Sequence, residues 1–255
     1  MTEIYHRRQE AEELAERLIH PSSLGSLRSG LFFSGPRRTG KSTFLKKDLI
    51  PALERHGALV IYVDLWAKNH MPDKAEVILD AIREKLKVPK VGEDVSLADA
   101  FTEVVDKTKA DVVLIVDEVQ ACRDMGLMRA LKATRDAINI GSHYSGHFLF
   151  IGAGSDRERV TEMTKLRQEP FYGARSFVYP MLDEGFVTWA LNDKSVAIKP
   201  SLAAAVEAFK MLDYQPETFM DALKAMNRSV ERSEQADDML RMGVWMQRKP
   251  LWEPK

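Results

Sequence analysis

The apolar tetrad Leu31-Phe32-Phe33-Ser34 runs directly into Gly35-Pro36-Arg37-Arg38-Thr39-Gly40-Lys41-Ser42-Thr43, and a helical pattern continues from Lys41 to Arg55. The octet Gly35 to Ser42 satisfies G-x-x-x-x-G-K-[ST], in the strand–loop–helix context that motif needs. The loop must therefore sit at the carboxyl end of a strand and the amino end of a helix. Its glycines let the backbone curl until N–H groups point inward, where they can meet phosphate oxygens. The helix adds the positive end of its dipole. Lys41 supplies a point charge for β- and γ-phosphates. The Ser42 hydroxyl is an oxygen ligand of the kind Mg2+ demands. A nucleotide, ATP with Mg2+, is the implied ligand. The competing reading, a glycine turn before a surface lysine, does not account for the flanking elements.

The rest of the chain alternates strand and helix. A helix is expected over residues 5–20, from Ala11, Leu14, Ala15, Leu18 and Ile19 at helical spacing. Residues 21–30 read as a loop. Further strands are expected at 59–65, 112–116, 147–151 and 176–179. Helices are expected at 73–87, 96–109, 124–138 and 156–167, with a loop carrying Pro89 and Gly92 between the first two. Beyond Pro180 the pattern is helical to about residue 247, with breaks near 192–200 and at Pro216. Such alternation predicts an α/β fold in three layers, a five-stranded parallel sheet with helices on both faces, followed by a small all-helical lid. The expected division is 1–182 for the α/β domain, with 1–30 its N-terminal helix and linker, and 183–255 for the lid and tail.

The strand Val112-Val113-Leu114-Ile115-Val116 ends in Asp117-Glu118. In an open α/β sheet, ligands gather at the carboxyl ends of strands. Asp117 is thus placed to hold Mg2+, usually through water. Glu118 is placed to take a proton from an attacking water. The same pair would also serve as a strand end and helix N-cap.

Composition narrows the function classes. Lys plus Arg number 37 against 38 acidic residues, so no global basic field points to nucleic acid. No apolar run approaches the roughly 20 residues of a membrane span. The single cysteine, Cys122, excludes an internal disulfide and fits a reducing, cytoplasmic setting. The charged N-terminus does not read as a signal peptide. The six histidines show no metal-ligand spacing in the sequence, and His143 and His147 read as surface or packing residues. Cys122 and the methionines Met211, Met220, Met226, Met239, Met242 and Met246 read as packing residues. Trp245 and Trp252 are expected to fold back on the lid rather than dock a partner.

Four segments resemble AAA+ ATPases, in particular the archaeal and bacterial branch related to signalling (STAND-like) NTPases. These are Tyr5-His6-Arg7-Arg8-Gln9-Glu10, the phosphate loop, Val113-Leu114-Ile115-Val116-Asp117-Glu118-Val119-Gln120, and Phe171-Tyr172-Gly173-Ala174-Arg175 with Phe177-Val178-Tyr179-Pro180. The resemblance implies ATP hydrolysis to ADP and phosphate, coupled to a conformational or assembly change in a partner complex. It implies that Ser155, just past the fourth strand, senses the γ-phosphate. It also implies an arginine acting on a neighbour's nucleotide, which Arg175 matches one residue later than usual, with Arg167 the second choice. Lys224 and Arg228 are weaker candidates for a phosphate contact from the lid. A homo-oligomer, ring or filament, in the ATP state and an unidentified protein or nucleoprotein client follow from the same likeness. Residues 183–255 leave room for a lid and little else, so autonomous DNA binding is not expected. Two other classes share the phosphate loop: a small-molecule or nucleotide kinase, and a nucleotide-dependent binding switch with little turnover.

Overall fold

The computed structural model describes residues 4–21, 27–66, 74–86, 96–140, 144–229 and 235–248. The expected loop around Pro89 and Gly92 falls outside them, as do His143 and Trp252. The chain divides into two units. One comprises His6–Pro36 and Lys41–Tyr179; the other comprises Met1–Tyr5, Arg37–Gly40 and Pro180–Lys255.

The larger unit is built on a five-stranded parallel sheet: β1 Leu31–Ser34, β2 Leu59–Asp64, β3 Val112–Asp117, β4 Phe148–Gly154 and β5 Arg175–Val178, in the order β2-β3-β4-β1-β5. Central strands of a parallel sheet are covered on both faces and so read as unbroken apolar runs. β1, β3 and β4 are buried at every position. Side chains still alternate between the two faces. Phe32, Leu114, Phe148 and Phe150 join one core cluster, with residues of α4 Lys74–Leu86, α5 Leu97–Thr108, α6 Met125–Ile140 and α7 Arg157–Lys165. Leu31, Phe33, Val113, Ile115, Leu149 and Ile151 join a second. That face packs on α1 Arg8–Ile19 and on the helical run after the loop: α2 Lys41–Phe44, a π-helical turn Leu45–Leu49, and α3 Ile50–Arg55.

Most boundaries differ from the sequence reading by a residue or more, and three differences bear on the site. β4 runs on through Gly152-Ala153-Gly154, because these small residues fit under neighbouring side chains. A Cβ at Gly152 would stand 2.8 Å from the Phe32 ring, and one at Gly154 2.3 Å from Gln120 Oε1. β5 begins at Arg175, and its exposed Phe177 and Val178 mark it as the sheet edge. A short 3-10 turn, Val119–Ala121, follows the acidic pair and was not expected.

The smaller unit is helical, with α8 Glu184–Leu191, α9 Leu202–Met211, α10 Pro216–Ser229 and α11 Ala236–Arg248. Phe186, Phe209, Phe219, Leu223, Leu240 and Val244 form its core, and Tyr5 packs edge-on to Phe186 at 5.6 Å. Asp183 and Ser201 cap α8 and α9 through Gly185 N–H and Ala204 N–H, the role short polar side chains fill at helix starts. Met226 is buried here, but Met211, Met242, Met246 and Trp245 are exposed, Trp245 by 60%. Trp245, expected to fold back on the lid, is thus not buried: positions 242, 245 and 246 share one exposed face of α11. No described helix is long and apolar enough to cross a membrane.

Candidate functional site

β1, β3 and β4 end at one edge of the sheet, and the candidate residues leave from there. Ser34 stands opposite Gly154 on β4, and Asp117 opposite Ala153. Asp117 and Ser34 are therefore two strand spacings apart, about 10 Å. Gly35 N–H donates to Gly154 C=O at 3.2 Å, fixing the start of the loop against β4. In the loop, Arg38 (φ 62°) and Gly40 (φ 89°) are left-handed. Gly40 meets that demand without a steric penalty. Pro36, Arg37, Arg38 and Thr43 are exposed, Ser42 is half-buried, and Thr39 is buried. Lys41 is only 5% exposed. Its ammonium curls back to donate to Gly35 C=O at 3.1 Å and Pro36 C=O at 3.4 Å. A buried ammonium is costly unless it is compensated; this loop sequesters one among inward-facing backbone.

Asp117 is 1% exposed. Its Oδ2 accepts from Tyr62 Oη at 2.7 Å and its Oδ1 from Glu118 N–H at 3.0 Å. Burial, then the bond to Asp117, raises the Tyr62 hydroxyl far above its ordinary value, so it stays protonated and keeps donating. Lys46 lies 4.7 Å from the Tyr62 ring. Glu118 has φ 54°, ψ 44°, a left-handed conformation that costs a residue of this type on the order of 1 kcal/mol and collects at functional sites. The bend separates the two carboxylates. Glu118 Oε2 accepts from Ser155 Oγ at 2.8 Å and also from Gln120 Nε2, whose amide lies 3.0 Å from Ser155 Oγ. Gln120 Oε1, packed over Gly154, has no hydrogen-bond donor among the described residues.

The fold therefore brings Lys41, Asp117, Glu118 and Ser155, all singled out in the sequence, to one edge. Sequence reasoning missed Tyr62 and Gln120 as members. A tyrosine in the middle of an apolar strand was the available signal, since a buried hydroxyl seeks a partner. Arg175 is not at this edge. It pairs in register with Leu31, at the amino end of β1, and is exposed. Neither Arg175 nor Arg167, exposed in the turn after α7, has a side-chain ion pair among the described residues. Glu169, a carboxylate near Arg175 in sequence, is buried and bonded to Arg159 at 2.5 Å. Lys224 pairs with Asp221 on the surface of α10, and Arg228 is exposed. His147 holds the start of β4, its N–H and Nδ1 both bonding Asp111 Oδ1. Cys122 is buried.

A parallel sheet in the order β2-β3-β4-β1-β5, with a phosphate loop after β1 and an acidic pair after β3, defines a P-loop nucleotide-binding protein of the AAA type. The AAA domain family matches residues 26–160, just over half of the sequence, and the chain belongs to that family. Among solved structures, the Walker-type ATPase of Pyrococcus abyssi matches with a TM-score of 0.57 at 17% identity, covering 97% of this chain and 75% of that one. The Aeropyrum pernix ORC2 protein, in ADPNP–ADP complexes, matches with a TM-score of 0.65 at 19% identity, covering 96% and 68%. Drosophila ORC bound to DNA matches with a TM-score of 0.60 at 12% identity, covering 96% and 67%. At these identities the likeness concerns the fold. No curated protein matches the sequence significantly.

Proposed function

We propose that this protein binds ATP with Mg2+ and hydrolyses it to ADP and phosphate, with Glu118 as general base. The observation that supports this most is the contact of Glu118 with Ser155, 2.8 Å apart, at the sheet edge that also carries Lys41 and Asp117. The donor set suits Mg2+: the Ser42 hydroxyl and the Asp117 carboxylate are hard oxygen ligands. When bound, the ion would neutralise phosphate charge. Lys41 binds and orients the phosphates. Tyr62 fixes the Asp117 carboxylate. Ser155 and Gln120 hold the Glu118 carboxylate, which takes the proton of the attacking water. A kinase needs an acceptor pocket in place of water; release of phosphate with no added acceptor separates that alternative.

We read residues 1–182 as the nucleotide-binding part and 183–255 as the lid segment, and the closer kinship as the STAND-related branch. Arg175 acts on a neighbour's nucleotide. Its β5 position opposite Leu31 supports this, because the four residues of β1 put about 10 Å between it and its own loop. An arginine donated head to tail generates a ring or filament. Hydrolysis is then coupled to assembly with a protein or nucleoprotein client in the cytoplasm. Isothermal titration with a non-hydrolysable ATP analogue and Mg2+ tests the binding step: wild type binds and Lys41→Ala does not. Equal affinity of the two would overturn the assignment.

A further inference from the structure

We propose that Glu16, His20 and His56 form a binding site for a divalent transition-metal ion of the zinc type, with Glu12 orienting His56. The site is remote from the phosphate loop. Lys41 opens the helical run that His56 closes, and the 15 residues Lys41–Arg55 span about 22 Å.

The sequence hides the cluster because its parts come from two helices. Glu16 and His20 are four residues apart, at the end of α1, and so share one face. His56 caps the end of α3. Packing of α1 on α3 brings one ligand atom from each of the three to within 4.8 Å of the others. The His20 and His56 rings lie 5.7 Å apart, edge to face. Zinc bonds of about 2.0–2.1 Å require ligand atoms about 3.4 Å apart, so closure needs side-chain movement on the order of 1 Å.

The surroundings of His56 point to a cation. Its Nε2 lies 2.9 Å from Glu12 Oε1, and Glu12 Oε2 accepts from Arg55 at 2.6 Å. Glu12 thus fixes the tautomer with the proton on Nε2, as carboxylates do behind metal-bound histidines. Nδ1 then presents its lone pair towards Glu16 Oε2, 3.5 Å away. Two acceptors facing each other at that distance call for a positive group between them: a proton on His56, or a metal ion. The negative ends of the α1 and α3 dipoles add to the demand for positive charge here, and His20, a third donor, favours the ion. Two imidazoles and one carboxylate suit Zn2+, with water completing the tetrahedron. Glu16 and His20 are exposed, which leaves an entry path. A bound ion would clamp the N-terminal helix to the end of the phosphate-loop helix.

Titration of the metal-free, nucleotide-free full chain with Zn2+ tests this. Wild type and Lys41→Ala should each take up one ion and melt at higher temperature with it. His20→Gln, at an exposed position, should weaken binding at least 10-fold, and His20→Gln with His56→Ala should abolish it. Glu12→Gln should weaken binding roughly 10- to 100-fold. The Co2+ complex should show the visible absorption of a tetrahedral site in wild type and Lys41→Ala, and not in the His20→Gln, His56→Ala double variant. A wild type that takes up no Zn2+ would overturn the proposal. So would a folded His20→Gln variant, by circular dichroism, that binds as tightly as wild type.

Discussion

Glu118 shows how much of this site is a matter of single residues. Its left-handed backbone turns its carboxylate away from Asp117 and onto Ser155 and Gln120. Two adjacent acids thereby acquire different partners. Asp117 owes its orientation to Tyr62, whose hydroxyl stays protonated. Tyr62→Phe should lower stability by about 1–3 kcal/mol, the range for losing a hydrogen bond to a buried charge. It should also raise the Mg2+ concentration needed for half-maximal hydrolysis; chemical denaturation and a Mg2+ titration check the two effects. Lys41, Asp117, Glu118 and Ser155 were legible in the sequence because each is tied to a strand end or a glycine loop. Tyr62 and Gln120 were not, because their partners lie 55 and 35 residues away across the sheet. Spacing along one chain carries no trace of such pairings.

The strands are the elements the sequence displays most openly. β1 and β3 read as apolar runs because both their faces are buried. The end of β4 did not, since Gly152-Ala153-Gly154 lacks the bulky side chains that signal a strand. Their smallness is the point: Gln120 lies across Gly154 to reach Ser155 and Glu118. Gly154→Ala should cost about 1–3 kcal/mol through overpacking against Gln120 and Val160, measured by chemical denaturation. In the helical unit, Ser201 donates its hydroxyl and its N–H to Asp237, 2.7 Å each, and these bonds hold the Asp237 carboxyl below its ordinary value. A depressed folded value stabilises the fold above the unfolded value of about 3.9 and ceases to do so as pH falls through the folded one. Asp237→Asn should therefore melt below wild type at about pH 7, with the gap closing below about pH 4. The exposed face of α11 ran against expectation, because helical spacing of Met and Trp residues does not say which side meets the core.

At the scale of the whole molecule, the fold class was legible, whereas an arginine shared between subunits is implied by the resemblance alone. The order β2-β3-β4-β1-β5 puts Arg175 at the amino end of the edge strand, away from its own loop. Arg175→Ala should lower turnover by roughly 10³ to 10⁵, the worth of an arginine supplied in trans. Mixing Arg175→Ala with Lys41→Ala chains should restore part of it, since one contributes the nucleotide site and the other the arginine. Turnover per chain should rise with protein concentration; turnover that stays constant in a species that remains monomeric with ATP would rule out the trans arrangement. The metal clamp between α1 and α3 is independent of all this, because Lys41→Ala leaves its ligands intact. Phosphate release by wild type and Glu118→Gln at saturating ATP and Mg2+ tests most directly whether Glu118 is the base of hydrolysis. Glu118→Gln should bind the ATP analogue as wild type does and release phosphate roughly 10² to 10⁴ times more slowly; equal rates for the two proteins would contradict that role.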